Sequence, residues 1–178
     1  MTYKIIQIGH DRLNQYYSIP ISFEIHSIYN VIEINNRIEL IEQSIEKPYI
    51  KDYDQIEREP IADGSTVFLV LNENDIPIGG AIVSMIPDCT LVDFRIAPAY
   101  RRAGIGRILF EHVVQWCRQQ EPTINGMNIE TQNNNVSACR FYAAMGAKLI
   151  SIDRHAYEND ERVKDEIRFN WFINFLCQ

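Results

Sequence analysis

The 178-residue chain predicts a mixed α/β fold, and three features of the sequence predict it. The run "STVFLVLNENDIPIGGAIVSM" sets two β-rich segments around the turn-forming "NENDIP", the pattern of an antiparallel hairpin. From Gly104 onward, Ile105, Ile108, Leu109, Val113 and Trp116 recur at helical spacing, while Arg107, Glu111, Gln115 and Arg118 take the opposite face. A further strand and helix, "INGMNIETQ" and "NNVSACRFYAAM", then repeat the alternation. Strands interleaved with helices in this way assemble into a mixed sheet.

In chain order, "YKIIQI" and "SFEIHSI" read as short strands. The segment "NRIELIEQSIEKPYIKDYDQIEREP" mixes the strand and helix periods and stays undecided. After the hairpin, "TLVDFRIAP" is a strand that Pro98 stops. The helix that follows ends before Pro122, and the later one ends at Gly146, a residue suited to a helix C-terminus. "AKLISIDRHAYE" and "EIRFNWFINFL" close the chain as strands. The last reads either as a central strand or as an apolar dimer surface, so a homodimer stays open.

One sizeable core fits this length, and no linker, repeat or low-complexity tract interrupts it, so residues 1–178 are expected to form a single domain. Seventeen basic against 24 acidic residues leave a net charge of −7, which argues against a sequence-independent grip on nucleic acid and suits a cationic substrate. Cys89, Cys117, Cys139 and Cys177 show no metal-ligand spacing and read as reduced thiols. His10, His26, His112 and His155 share no motif, so no metal is expected. The start, "MTYKIIQIGHDRLNQ", lacks a signal-peptide core, and no run approaches the roughly 20 apolar residues of a membrane span. A cytoplasmic protein without a membrane partner is the expectation.

The chemistry begins at "RRAGIG". The first N–H groups of a helix lack intrahelical partners and lie at the positive end of its dipole. Gly104 and Gly106 carry no Cβ, so a diphosphate can approach those donors, and Arg101, Arg102 and Arg107 add positive charge. The competing reading is a glycine-rich turn with solvated arginines. No Gly-Lys-Ser/Thr follows and the three-glycine dinucleotide spacing is absent, which weakens nucleoside triphosphates and nicotinamides as ligands.

"FRIAPAYRRAGIGRILF" followed by "NIETQNNNVSACRFYAAMGAKLI" resembles the acetyl-CoA binding core of the GNAT superfamily of N-acetyltransferases, over about residues 66–175. "IETQNNNVSACRFY", "SID", "YEND" and "KPYIKDY" are most similar to streptothricin acetyltransferases. The resemblance implies a mostly antiparallel central sheet, flanked by helices, with a V-shaped splay between two strands. It implies that the diphosphate of acetyl-CoA rests on the backbone of Arg102, Ala103, Gly104, Ile105, Gly106 and Arg107, beside Arg101. The pantetheine arm would pair along Phe94, Arg95 and Ile96. Asn135, Ala138 and Tyr142 match the family's Asn-x-x-Ala-x-x-x-Tyr helix, which implies that all three bind the cofactor, with Tyr142 also the proton donor to the departing thiolate. From spacing alone, Tyr142 is equally a packed aromatic, and Asn135 equally an N-cap.

Acyl transfer needs a neutral amine, and neutralising a lysine-like amine at pH 7 costs about 4–5 kcal/mol, so a carboxylate, or a water chain leading to one, is expected to help. Asp93 and Glu130 stand on the two strands that would flank the reaction centre. Asp93 shares a strand face with Arg95 and reads equally as half of an ion pair. Glu130 reads equally as a solvated strand end. For the acceptor, "KPYIKDYDQIEREP" offers Tyr49, Tyr53, Asp54 and Glu57, types suited to cationic, hydroxylated ligands and also to a solvated loop. The resemblance points to the β-lysine amine of streptothricin. A polyamine, an aminoglycoside-like drug, a protein amine, or a non-catalytic acetyl-CoA binding module remain as alternatives.

Overall fold

Apolar runs without alternation build the middle of the sheet, because a strand covered on both faces needs no polar side. The computed structural model describes residues 2–35, 37–53, 61–120 and 123–176. Its strands are β1 (Tyr3–Ile8), β2 (Phe23–Ile34), β3 (Arg37–Lys51), β4 (Thr66–Asn72), β5 (Pro77–Ser84), β6 (Thr90–Ile96), β7 (Gly126–Gln132), β8 (Lys148–Asp153) and β9 (Arg168–Asn174). Its helices are α1 (Leu13–Tyr17), α2 (Ile105–Arg118) and α3 (Val136–Ala144). The chain divides into two compact units. One holds Met1–Ser22, Asp52–Ile129 and Asn174–Gln178; the other holds Phe23–Lys51 and Glu130–Ile173.

In the first unit the strand order is β1-β4-β5-β6, all antiparallel, followed by the leading residues of β7. The turn between β4 and β5 is built by Asn72, whose Oδ1 accepts the N–H groups of Asn74 and Ile76 at 3.0 Å each. This is the hairpin that "NENDIP" predicts. β6 follows β5 to its end, through Ala81↔Phe94, Gly80↔Arg95 and Gly79↔Ile96. Its parallel ladder with β7 comprises two pairs, Thr90↔Asn128 and Leu91↔Ile129.

α2 buries Ile105, Leu109, Phe110, Val113, Val114 and Cys117. The sequence-level stripe needs correction: Ile108 is 37% exposed and Trp116 half-buried, so Phe110, Val114 and Cys117 complete the buried face instead. Positions 110, 113, 114 and 117 are linked by i, i+3 and i+4 steps, so they belong to one helix face. Cys89, Cys117 and Cys139 are buried free thiols; Cys177 lies outside the described residues.

α1 packs on β5 because Gly80 leaves room for the fully buried Tyr16 ring. A Cβ at Gly80 would lie 2.6 Å from Tyr16 Cε2 and 2.8 Å from the Phe68 carbonyl oxygen. Gly80→Ala is therefore expected to cost about 1–3 kcal/mol through overpacking. Chemical denaturation measures this, and an unchanged midpoint would contradict the packing of Tyr16 on β5.

In the second unit, the trailing residues of β7 lead to β9 and then β8. β9 is thus an interior strand, the first of the two readings of "EIRFNWFINFL". Trp171 on β9 donates its indole N–H to Thr131 Oγ1 at 2.8 Å. The undecided segment resolves as β3, which pairs with β2 in a separate two-stranded sheet. Asn133 stitches this ribbon down: its carbonyl accepts Tyr29 N–H at 2.8 Å, and its Nδ2 donates to the Tyr29 carbonyl at 3.2 Å. At the end of β3, Lys51 forms a buried ion pair with Glu166.

Among the described residues, no helix is long and apolar enough to cross a membrane, and no three His, Cys, Asp or Glu side chains converge as a metal centre.

Candidate active site

The loop between β6 and α2 turns on two left-handed residues, Arg102 (φ 63°) and Gly104 (φ 83°). Gly104 is the N-cap of α2, and a Cβ placed on it would meet nothing within 4 Å. The first intrahelical bond recorded there runs from Ile108 N–H to the Gly104 carbonyl, at 3.2 Å. The space at the Gly104 Cβ position, beside the start of α2, is open, which fits the approach of a diphosphate.

The arginines of this loop divide their work. Arg101 donates from Nε to the Ile96 carbonyl at 2.8 Å, fastening the loop to the end of β6, and burial lowers its pKa from the ordinary value. Arg102 and Arg107 are exposed, and Arg107 stands 3.8 Å from Glu111 on the next turn. Ala103 is exposed, Gly106 half-buried and Ile105 buried in the core.

On β6, Phe94 and Ile96 are half-buried, and the Phe94 ring meets Phe110 edge-on at 6.2 Å. Arg95 is 4% exposed. Its Nε and Nη2 contact Asp93 Oδ2 at 2.7 and 2.6 Å, its Nη1 donates to the Ile19 carbonyl at 3.3 Å, and its guanidinium lies over the rings of Tyr16 and Tyr17. The Arg95 side chain is therefore built into the core, and only its backbone faces the ladder. The Asp93 carboxylate is held in that ion pair. Tyr53, at the edge of this unit, is half-buried.

In the second unit, Asn135 caps α3, accepting Ala138 N–H and the Ser137 hydroxyl on Oδ1 at 3.1 Å each. Val136, Cys139 and Tyr142 form the buried face of α3, and Tyr142 meets Phe141 edge-on at 5.2 Å. The helix ends where Gly146 turns left-handed (φ 91°) and Ala147 N–H returns to the Tyr142 carbonyl at 3.0 Å. Ala138 is half-buried and Tyr49 exposed on β3; Asp54 and Glu57 lie outside the described residues.

Glu130 on β7 is engaged from two sides. It accepts the Tyr157 hydroxyl on Oε1 at 2.6 Å, and Arg168 Nη1 stands 3.7 Å from Oε2. Arg168 in turn donates from Nη2 to Asp153 Oδ2 at 2.9 Å. Sequence reasoning assigned no role to Tyr157, Arg168 or Asp153. Tyr157 lies 27 residues from Glu130, and no spacing signals such a contact.

The model of the acetyltransferase (GNAT) family matches residues 28–147. The chain belongs to this family. As a GNAT protein it is an acetyl-CoA dependent N-acetyltransferase. Streptothricin acetyltransferase A of Bacillus subtilis (strain 168) is 29% identical over 138 residues, covering 75% of this chain and 78% of the relative. The crystal structure of nourseothricin acetyltransferase shares the fold with a TM-score of 0.82 at 20% identity, over 98% of this chain and 99% of that one. A streptothricin acetyltransferase-like protein from Bacillus anthracis str. Ames, solved in complex with acetyl coenzyme A, gives a TM-score of 0.77 at 23% identity, over 97% of this chain and 99% of that one.

Proposed function

We propose that this GNAT protein transfers the acetyl group of acetyl-CoA to a primary amine of a small cationic antibiotic, the β-lysine amine of streptothricin, and so removes a charge from it. The similarity to the Bacillus subtilis streptothricin acetyltransferase over three quarters of both chains carries this reading. The open donor loop at Gly104 and the net charge of −7 agree with it.

In the proposed reaction the amine lone pair attacks the thioester carbonyl carbon. The C–N bond forms, the C–S bond breaks, the nitrogen loses a proton to a carboxylate, and the departing thiolate takes a proton from the Tyr142 phenol, which solvent then replenishes. The first unit supplies the donor-binding groups: the backbone of residues 102–107 for the diphosphate, and β6 at Phe94 and Ile96 for the pantetheine arm. A β6 N–H near Ile96 polarises the carbonyl. Tyr142 and Glu130 are the proposed proton donor and carboxylate. Glu130 is preferred over Asp93 as the acceptor's carboxylate because Asp93 is taken up by the core residue Arg95, whereas Glu130 is 44% exposed and has one oxygen beyond hydrogen-bond reach of Arg168. Tyr49 and Tyr53 are proposed to contact the acceptor.

Purified protein incubated with acetyl-CoA and a panel of streptothricin, spermidine and a lysyl peptide tests this reading. The expected result is thiol release and a one-acetyl product with streptothricin. Turnover confined to spermidine or the peptide would replace the antibiotic with another amine, and donor binding without any thiol release would make the protein a binding module.

A further inference from the structure

The hydroxyl of Tyr157 has one proton to give, and its two neighbours decide where that proton goes. Gln132 Nε2 stands 3.0 Å from the Tyr157 oxygen, and Glu130 Oε1 stands 2.6 Å from it. An ionised carboxylate only accepts, so the short Tyr157–Glu130 contact requires the phenol to donate there. The Gln132 amide must then donate to the phenol. The result is a directed chain, Gln132 to Tyr157 to Glu130, with both ends on one face of β7, two residues apart.

This chain singles out one oxygen of Glu130. Oε1 is occupied by the phenol, while Oε2 has Arg168 Nη1 at 3.7 Å, too far for a hydrogen bond. Arg168 spends its own hydrogen bond on Asp153 at 2.9 Å. Two carboxylates thus share one guanidinium, which leaves the cluster able to take another positive group. A half-exposed glutamate without the phenol would sample several rotamers, and an acceptor would have to order it on binding.

We propose that Tyr157 is a positioning residue for acetyl transfer: it locks Glu130 so that Oε2 is presented to the acceptor amine. The inference rests on the reading that Glu130 faces the acceptor. Burial, and next the bond to Glu130, raise the pKa of Tyr157, so the phenol keeps its proton across the working range. Tyr157 is not itself acid or base. It acts through Glu130, as a hydroxyl acts when it orders a neighbouring ion.

Steady-state kinetics test this with whichever of streptothricin, spermidine or a lysyl peptide the wild-type protein acetylates fastest. Tyr157→Phe, which keeps the ring, is expected to raise the KM for the amine about tenfold, with the KM for acetyl-CoA and the melting temperature unchanged. Glu130→Gln is expected to raise the amine KM at least as much, and adding Tyr157→Phe to it should have no further effect. If Glu130→Gln raises the amine KM but Tyr157→Phe does not, the positioning role is overturned while the acceptor reading of Glu130 survives. If Glu130→Gln leaves the amine KM unchanged, or no amine turns over, the underlying reading fails and the inference with it. A fall in melting temperature with an unchanged amine KM would make Tyr157 a strut of the loop and overturn the proposal.

Discussion

Replacing Tyr142 by Phe is expected to lower kcat by about 10²–10⁴-fold, the range of a lost general acid, and to leave acetyl-CoA affinity unchanged. The ring packs on the inner face of α3 with Val136 and Cys139, and Phe preserves that packing. What disappears is the proton for the departing thiolate. A thiol of ordinary acidity, with a pKa of about 8.5, is a better leaving group when protonated as the C–S bond breaks. The check is kcat at saturating amine, paired with calorimetric titration of acetyl-CoA and a melting curve. Unchanged kcat removes Tyr142 from the chemistry, and a collapsed melting curve would mean that its hydroxyl holds the unit together instead.

The second large effect is expected at the donor loop. Gly104→Val should raise the KM for acetyl-CoA about 10–100-fold. Two causes act together. A β-branched residue held at φ 83° carries backbone strain of about 1–3 kcal/mol. Its side chain also projects into space that is empty within 4 Å of the Gly104 Cβ position, where a diphosphate would approach the α2 donors. Acetyl-pantetheine, which lacks the diphosphate, separates these causes: its slower turnover should be nearly indifferent to the substitution. Equal losses with both donors would mean that the loop has distorted, and no loss with acetyl-CoA would place the diphosphate elsewhere.

What was legible in the sequence follows from how local each signal is. The β4–β5 hairpin is visible because Asn72, Asn74 and Asp75 make a turn by themselves, and the strands around it are mostly apolar. The starts of α2 and α3 are visible because Gly104 and Asn135 carry their capping roles in their own side chains or in the lack of one. β3 was not legible. Nearly every residue from Ile41 to Ile50 is exposed, so no buried face imposes the two-residue alternation by which a strand is recognised. The site was half legible on the same grounds. Glycines, the α3 motif and the Asp93–Arg95 pair lie on contiguous segments, but the packing of Arg95 against Tyr16 and Tyr17, and the pairing of Tyr157 with Glu130, depend on segments distant in the chain. Asp93 and Glu130 look alike as letters on strands. Their partners make one a core ion pair and leave the other half exposed to solvent.

The most direct measurement is fragmentation mass spectrometry of the product formed from streptothricin, acetyl-CoA and the purified protein. One acetyl group located on the β-lysine moiety, with one free thiol released per acetyl transferred, is the predicted result. Acetyl found elsewhere on the molecule, or acetyl-CoA bound with streptothricin unmodified, would contradict the account.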